Sequence, residues 1–201
     1  MEKNNMTTTM PRETIGKHKA VFLDRDGTII KSNPYEPNCS SPKDVELLPR
    51  AAEAIKLLNS NSFFVIVVTN QWWVGEGYFD EQMLFKINLK MQKDLQRRGG
   101  YLDDIFYCPH RRDEECNCSK PRPGMVFDAV EKYNLDLSQS FVVGDGLVDI
   151  GLGENVGCRT ILVGDNVERG DKYPEADFKA VDILEAVKII LEETKEEETA
   201  D

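Results

Sequence analysis

The 201-residue chain reads as a single α/β domain of three layers, with a central, mainly parallel sheet carrying helices on both faces. Three observations predict this. Short apolar runs alternate with longer amphipathic segments, which is the βαβ pattern. The runs are apolar almost without interruption, as strands covered on both faces are. Each also tends to end in a polar cluster, and in doubly wound sheets ligands gather outside the carboxyl ends of the strands.

The strands expected from these runs are KAVFLD (19–24), FFVIVVT (63–69), DIFYC (104–108), SFVVGD (140–145) and CRTILVG (158–164). Between the first two, PRAAEAIKLLN starts a helix with Pro49 at a plausible first position. A second helix is capped by Asp80, places Met83, Leu84, Ile87, Met91 and Leu95 on one face, and stops at Gly99. A third runs from Gly124 to Tyr133, and a fourth covers AVDILEAVKIILEE. Residues 1–17 read as a flexible leader, 18–191 as the domain, and 192–201 as a flexible tail. In that tail EETKEEETAD carries six acids against one lysine.

Composition narrows the function. No apolar run approaches the roughly 18 residues of a membrane span, and the polar start lacks a secretory apolar stretch, so the expected compartment is the cytoplasm. A net charge of −11 without a basic stripe argues against sequence-independent nucleic-acid binding. Five cysteines, three of them within YCPHRRDEECNCSK, suit a metal better than a disulfide framework in a reducing compartment.

The polar clusters suggest chemistry. In FLDRDGTII, Asp24 and Asp26 stand two apart where a strand breaks at Gly27. One carboxylate can act as nucleophile and the other as general acid and base, while the Gly27–Thr28 turn can turn backbone N–H groups toward an anion. An acidic turn with no further role would have much the same composition. Three other strand ends tip the balance. Thr69, Asn70 and Gln71 end the second strand, Asp145 ends the fourth with Asp149 one turn on, and Lys120 precedes the third helix. Asp24 and Asp145 would make a hard oxygen site suited to Mg²⁺. Cys108, His110, Cys116 and Cys118 match the donor set of a closed tetrahedral zinc site, with a loop of reduced cysteines as the alternative. Of the remaining candidates, Cys39 sits in a loop, Cys158 in the core and His18 on the surface.

In this order and at these spacings, DRDGT, TNQ, KPRPG and GDGLVD resemble the four motifs of the haloacid dehalogenase superfamily of phosphotransferases, over roughly residues 18 to 190. CPH followed by CNC resembles the branch containing the heptose bisphosphate and histidinol phosphate phosphatases. The resemblance implies a three-layer Rossmann-like haloacid dehalogenase fold with a small zinc-binding loop, and a monomeric, Mg²⁺-dependent phosphatase acting on a sugar phosphate. It implies that Asp24 forms an aspartyl phosphate and that Asp26 protonates the leaving oxygen. The Asp24 carboxylate, the Asp26 carbonyl and Asp145 would hold Mg²⁺, and Thr69, Asn70, Gln71 and Lys120 would line the phosphate site. Structural zinc would fall to Cys108, His110, Cys116 and Cys118, bracing Lys120.

The chain departs from that pattern around the substrate. Trp72 and Trp73 replace small residues, Glu76 stands where a positive charge is usual, Ser119 precedes Lys120, and Gly146–Leu147 follows Asp145. A second reading follows, of a protein-binding variant of the scaffold, natural or engineered, that contacts a partner through Trp72, Trp73 and Leu147.

Overall fold

The computed structural model describes residues 17–32, 39–164 and 175–200, so nearly all of the expected leader lies outside the described residues. Within them the chain forms β1 (Ala20–Leu23), α1 (Ala51–Ser60), β2 (Phe64–Asn70), α2 (Trp72–Gly75), α3 (Glu81–Arg97), β3 (Asp104–Cys108), α4 (Gly124–Tyr133), β4 (Phe141–Gly144), α5 (Leu147–Val156), β5 (Arg159–Val163), β6 (Phe178–Ala180) and α6 (Ile183–Ala200).

All five strand pairings are parallel, and the sheet order is β3-β2-β1-β4-β5-β6. The chain winds outward one way from β1 and the other way from β4. The order therefore reverses between these two central strands, and the crevice at their carboxyl ends is where such sheets accept ligands. Alternate strand residues supply two apolar layers. Val21, Leu23, Val65, Val67, Phe141 and Val143 pack under α1, α3 and α6. Ala20, Phe22, Ile66, Val68 and Val142 pack under α4 and α5. This two-sided burial is why the strands read as unbroken apolar runs.

The helix signals act as their residue types suggest. The Asp80 carboxylate accepts the Met83 N–H at 2.8 Å, and Gly99 adopts φ 87° just past the end of α3. α1 begins two residues later than Pro49 suggests, because Arg50 takes a left-handed conformation and its guanidinium reaches Asp182 at 3.0 Å. The helix α6 carries the backbone on to Ala200, so residues 192–200 of the expected tail are helical. His18 is half-buried rather than on the open surface, with its ring 5.1 Å from that of Phe64. No helix among the described residues is long and apolar enough to cross a membrane.

Three elements, the one-turn α2, α5 and β6, are not foreseen from the sequence. β6 is only three residues long. In α5, Gly151 and Gly153 interrupt a segment with no clear polar face, and glycine is a poor helix former. Packing explains the second glycine: a Cβ at Gly153 would sit 2.1 Å from the Thr160 methyl on β5. Thr160 cannot turn away, since its hydroxyl donates to Asp177 at 2.8 Å and accepts the Asp177 N–H at 3.0 Å. Gly153→Ala is therefore expected to lower stability by about 1–3 kcal/mol, read as a lower urea midpoint at unchanged slope. Adding Thr160→Ser, which removes the methyl and keeps the hydroxyl, should recover most of the loss.

Candidate active site

The carboxyl ends of β1 and β4 carry Asp24 and Asp145 to the crevice between them. Lys120 arrives from the loop before α4 and is 5% exposed. Its ammonium lies 2.6 Å from Asp24 Oδ1 and 2.6 Å from Asp149 Oδ1. Asp149 lies in the first turn of α5 and also accepts the Gly146 N–H at 3.1 Å, so it both caps the helix and anchors the lysine. Asp24, Asp145 and Asp149 each offer an oxygen within 4.8 Å of the others.

Charge in this corner does not balance. Burial pushes the Asp24 carboxyl up to about 8, with Asp149, Asp145 and Asp26 adding to the shift and Lys120 opposing it. Burial likewise raises Asp145, to about 6, with Asp149 adding to the effect. Burial also works against the Lys120 ammonium, but Asp149 and Asp24 outweigh it and hold the pKa above the usual lysine value. Three carboxylates thus face one cation, and a second cation would relieve them. Gly27 lets the Asp145 carboxylate press against the backbone: it has φ 96°, and a Cβ there would lie 2.1 Å from Asp145 Oδ2.

A second network holds Asp26. The Arg25 guanidinium, 2% exposed, donates to Asp26 through Nε at 3.0 Å and Nη2 at 3.1 Å. It also donates to Gln71 Oε1 at 2.8 Å and to Asn88 Oδ1 at 2.9 Å. Gln71 in turn donates to Asp26 Oδ2 at 2.8 Å and to the Thr69 hydroxyl at 2.9 Å. The buried Thr28 hydroxyl has no hydrogen-bond partner among the described residues.

This geometry redistributes the expected tasks. The Gly27 N–H is taken by the Ile30 carbonyl at 2.8 Å, so it does not face an anion. Both polar atoms of the Asn70 side chain are committed to the Lys120 backbone: Nδ2 donates to the carbonyl at 3.1 Å and Oδ1 accepts the N–H at 2.8 Å. Asn70 therefore fastens the lysine loop, and Gln71 belongs to the Asp26 network. Arg25 and Asn88 were not foreseen, and Asp149 was noted only for its spacing. Asn88 had a signal, being a polar residue inside the apolar stripe of α3, between Ile87 and Met91.

The cysteine loop lies at the end of β3. Cys108 Sγ is 3.1 Å from Cys118 Sγ and 3.6 Å from Cys116 Sγ, and His110 Nδ1 is 3.1 Å from Cys118 Sγ. A tetrahedral zinc–thiolate site with bonds of about 2.3 Å has edges of about 3.8 Å, slightly longer than these spacings. His110 turns Nε2 outward, 3.8 Å from a Glu114 carboxylate oxygen. Burial works against ionisation of Cys116, but hydrogen bonds from the Ser119 backbone and from Cys108 and Cys118 bring its thiol down to about 7. Two glycines seat the loop on its neighbours. A Cβ at Gly124 would lie 2.5 Å from the Asn117 carbonyl, and one at Gly75 would lie 2.6 Å from the Arg111 nitrogen. Cys39 is buried, and burial raises the core thiol of Cys158 to about 12.

Trp72 and Trp73 are partly buried and stack on each other with ring centroids 3.4 Å apart. Arg112 covers Trp72 at 3.7 Å, and Tyr78 meets Trp73 edge-on. Glu76 lies 3.6 Å from Arg111. Leu147 opens α5, a separate element.

Comparison with known proteins agrees with this architecture. Residues 117–188 match the family model described as HAD-hydrolase-like. The chain is 39% identical over 127 residues to a probable D-glycero-D-manno-heptose-1,7-bisphosphate 7-phosphatase of Thermoplasma volcanium, spanning 63% of this chain and 85% of that protein. The chain belongs to the haloacid dehalogenase superfamily of phosphatases. A D-glycero-beta-D-manno-heptose-1,7-bisphosphate 7-phosphatase of Bordetella bronchiseptica is 37% identical over 145 residues, spanning 72% of this phosphatase and 80% of its relative. The crystal structure of the D,D-heptose 1,7-bisphosphate phosphatase from B. bronchiseptica, complexed with magnesium and phosphate, superposes with a TM-score of 0.80 at 34% identity, covering 87% of this chain and 99% of the other. A putative haloacid-dehalogenase-like phosphatase from Mesorhizobium loti superposes with a TM-score of 0.74 at 28% identity, covering 90% and 91%.

Proposed function

We propose that this phosphatase removes the C7 phosphate of D-glycero-D-manno-heptose 1,7-bisphosphate through an aspartyl phosphate on Asp24. The observation that carries the reaction is the buried Asp24–Lys120–Asp149 arrangement with Asp26 held beside it by two neighbours. The relatives' names support the substrate.

In the first step an Asp24 oxygen forms a bond to phosphorus while the bond to the leaving oxygen breaks, and Asp26 delivers its proton to that oxygen. In the second step Asp26 takes a proton from water as the water oxygen bonds to phosphorus and Asp24 is released. The Lys120 ammonium lies within hydrogen-bonding distance of Asp24, where it can also meet phosphoryl oxygens as their charge grows. Thr69 accepts from Gln71, which leaves its own O–H proton to donate.

The residues present fit two metals. The excess of carboxylate at Asp24 and Asp145, the latter brought close to the β1 turn by the absence of a side chain at Gly27, suits Mg²⁺ held by these two carboxylates and the Asp26 carbonyl. Asp149 is already occupied by Lys120 and Gly146. A bound Mg²⁺ would neutralise phosphoryl charge. The donor set of Cys108, His110, Cys116 and Cys118 suits a closed zinc site, which would brace the loop that delivers Lys120 two residues later.

Purified enzyme with Mg²⁺ should release phosphate from the heptose bisphosphate, and Asp24→Asn should lower kcat on the order of 10³-fold or more. No release by the unaltered chain would reject the substrate. For the loop, metal analysis should find about one zinc per chain, and its removal by a chelator should lower Tm. Substantially less zinc in freshly purified protein would contradict the closed site.

A further inference from the structure

Arg25 is among the largest fully buried side chains in the molecule, and it sits between the two aspartates of the reaction. A buried guanidinium must place its donors, and Nε and Nη2 go to Asp26 and to Gln71, which itself holds Asp26. Its Nε and Nη2 grip that carboxylate in a two-pronged contact at 3.0 and 3.1 Å. Nη2 also reaches Gln71 at 2.8 Å, and Gln71 donates to the same carboxylate. The remaining prong, Nη1, donates to Asn88 Oδ1 at 2.9 Å. Asn88 occupies a position on α3 whose neighbours Leu84, Ile87, Met91 and Leu95 are all buried and apolar. A polar side chain there, 7% exposed, is costly unless paired, and Arg25 is the partner it meets.

We infer that Arg25 and Asn88 are positioning residues for the proton transfers of Asp26: Arg25 fixes the plane of the carboxyl group, and Asn88 fixes the guanidinium from the core. The two oxygens of Asp26 are unequal. Oδ2 lies within reach of Arg25 Nε, Arg25 Nη2 and Gln71 Nε2, whereas among the described residues Oδ1 accepts from Arg25 Nη2 alone. Oδ1 is therefore the oxygen with capacity to carry the proton. That proton passes from Oδ1 to the leaving oxygen as its bond to phosphorus breaks, and a proton from water returns to Oδ1 in the second step. The Asp26 side chain keeps 22% of its surface exposed, as a group that must meet substrate requires. The bidentate grip holds the acid to a single orientation, which a lysine at the same position would not do.

The inference rests on the acid–base reading of Asp26 given above, so the experiment separates the two. kcat/KM is measured for two monoesters. The heptose bisphosphate has a leaving alkoxide that needs a proton, and p-nitrophenyl phosphate has a leaving phenolate that does not. Asp26→Asn is the reference for loss of the acid. Asn88→Leu and Arg25→Lys should lower the rate on the alkyl ester about 10–100-fold, mainly in kcat. The kcat/KM of the aryl ester, which reports only the steps through transfer to Asp24, should change less than about 3-fold, since acid catalysis is dispensable there. Asn88→Asp keeps an acceptor oxygen toward Nη1 and should restore most of the alkyl rate. Should Asn88→Leu fail to fold, Asn88→Ala carries the same comparison. Equal losses on both esters, or none, would overturn the positioning role while leaving Asp26 as the acid. An Asp26→Asn enzyme showing no preference between the esters would instead remove the reading beneath it.

Discussion

Lys120 brings one positive charge into a buried corner that holds three carboxylates, and much of the architecture serves to keep it there. The ammonium is 2% exposed at its side chain and lies at 2.6 Å from two acids that come from opposite halves of the sheet. Asp24 ends β1, where the first half begins, and Asp149 lies in the helix that follows β4 in the second. A buried cluster of this kind adds little to stability, because desolvation of the charges offsets their attraction. Its value is positional: the lysine holds the Asp24 carboxylate and, through Asp149, the start of α5.

The supports around this corner are made of backbone as much as side chain. Asn70 spends its whole side chain on the backbone of Lys120. The cysteine loop, seated against α4 through Gly124 and against α2 through Gly75, ends two residues before it. On the far side, Arg25 ties the end of β1 to α3 through Asn88, so the second aspartate is held from the core as the first is held from the loop. The apolar layers under α1, α3 and α6, and under α4 and α5, make the sheet rigid enough for such contacts to be specific.

The sequence made the catalytic rim legible because the rim lies where strands end. DRDGT, TNQ and GDGLVD each terminate an apolar run, and parallel topology then brings their tips together. What stayed hidden depends on contacts between distant segments. α5 has glycines at Gly151 and Gly153 where Pro121 and Thr160 press against the helix, and a local pattern cannot display that pressure. TNQ places Asn70 and Gln71 at the expected phosphate site, and what it does not display is that their side chains also meet partners 50 and 45 residues away. Arg25 stood in plain view between two aspartates, but its meaning required Asn88, 63 residues on.

The corner at Asp24, Asp145 and Lys120 is short of positive charge, and a divalent cation is proposed to supply it. Burial raises the carboxyls of Asp24 and Asp145, to about 8 and about 6, so a cation bound between them would compete with protons. Calorimetric titration of the metal-free enzyme with Mg²⁺, repeated across pH 5 to 8 in buffers of different ionisation enthalpy, measures that competition directly. Net proton release on binding is expected, with an affinity that rises with pH through this window. Binding without proton release and with the same affinity at pH 5 and pH 8 would contradict it.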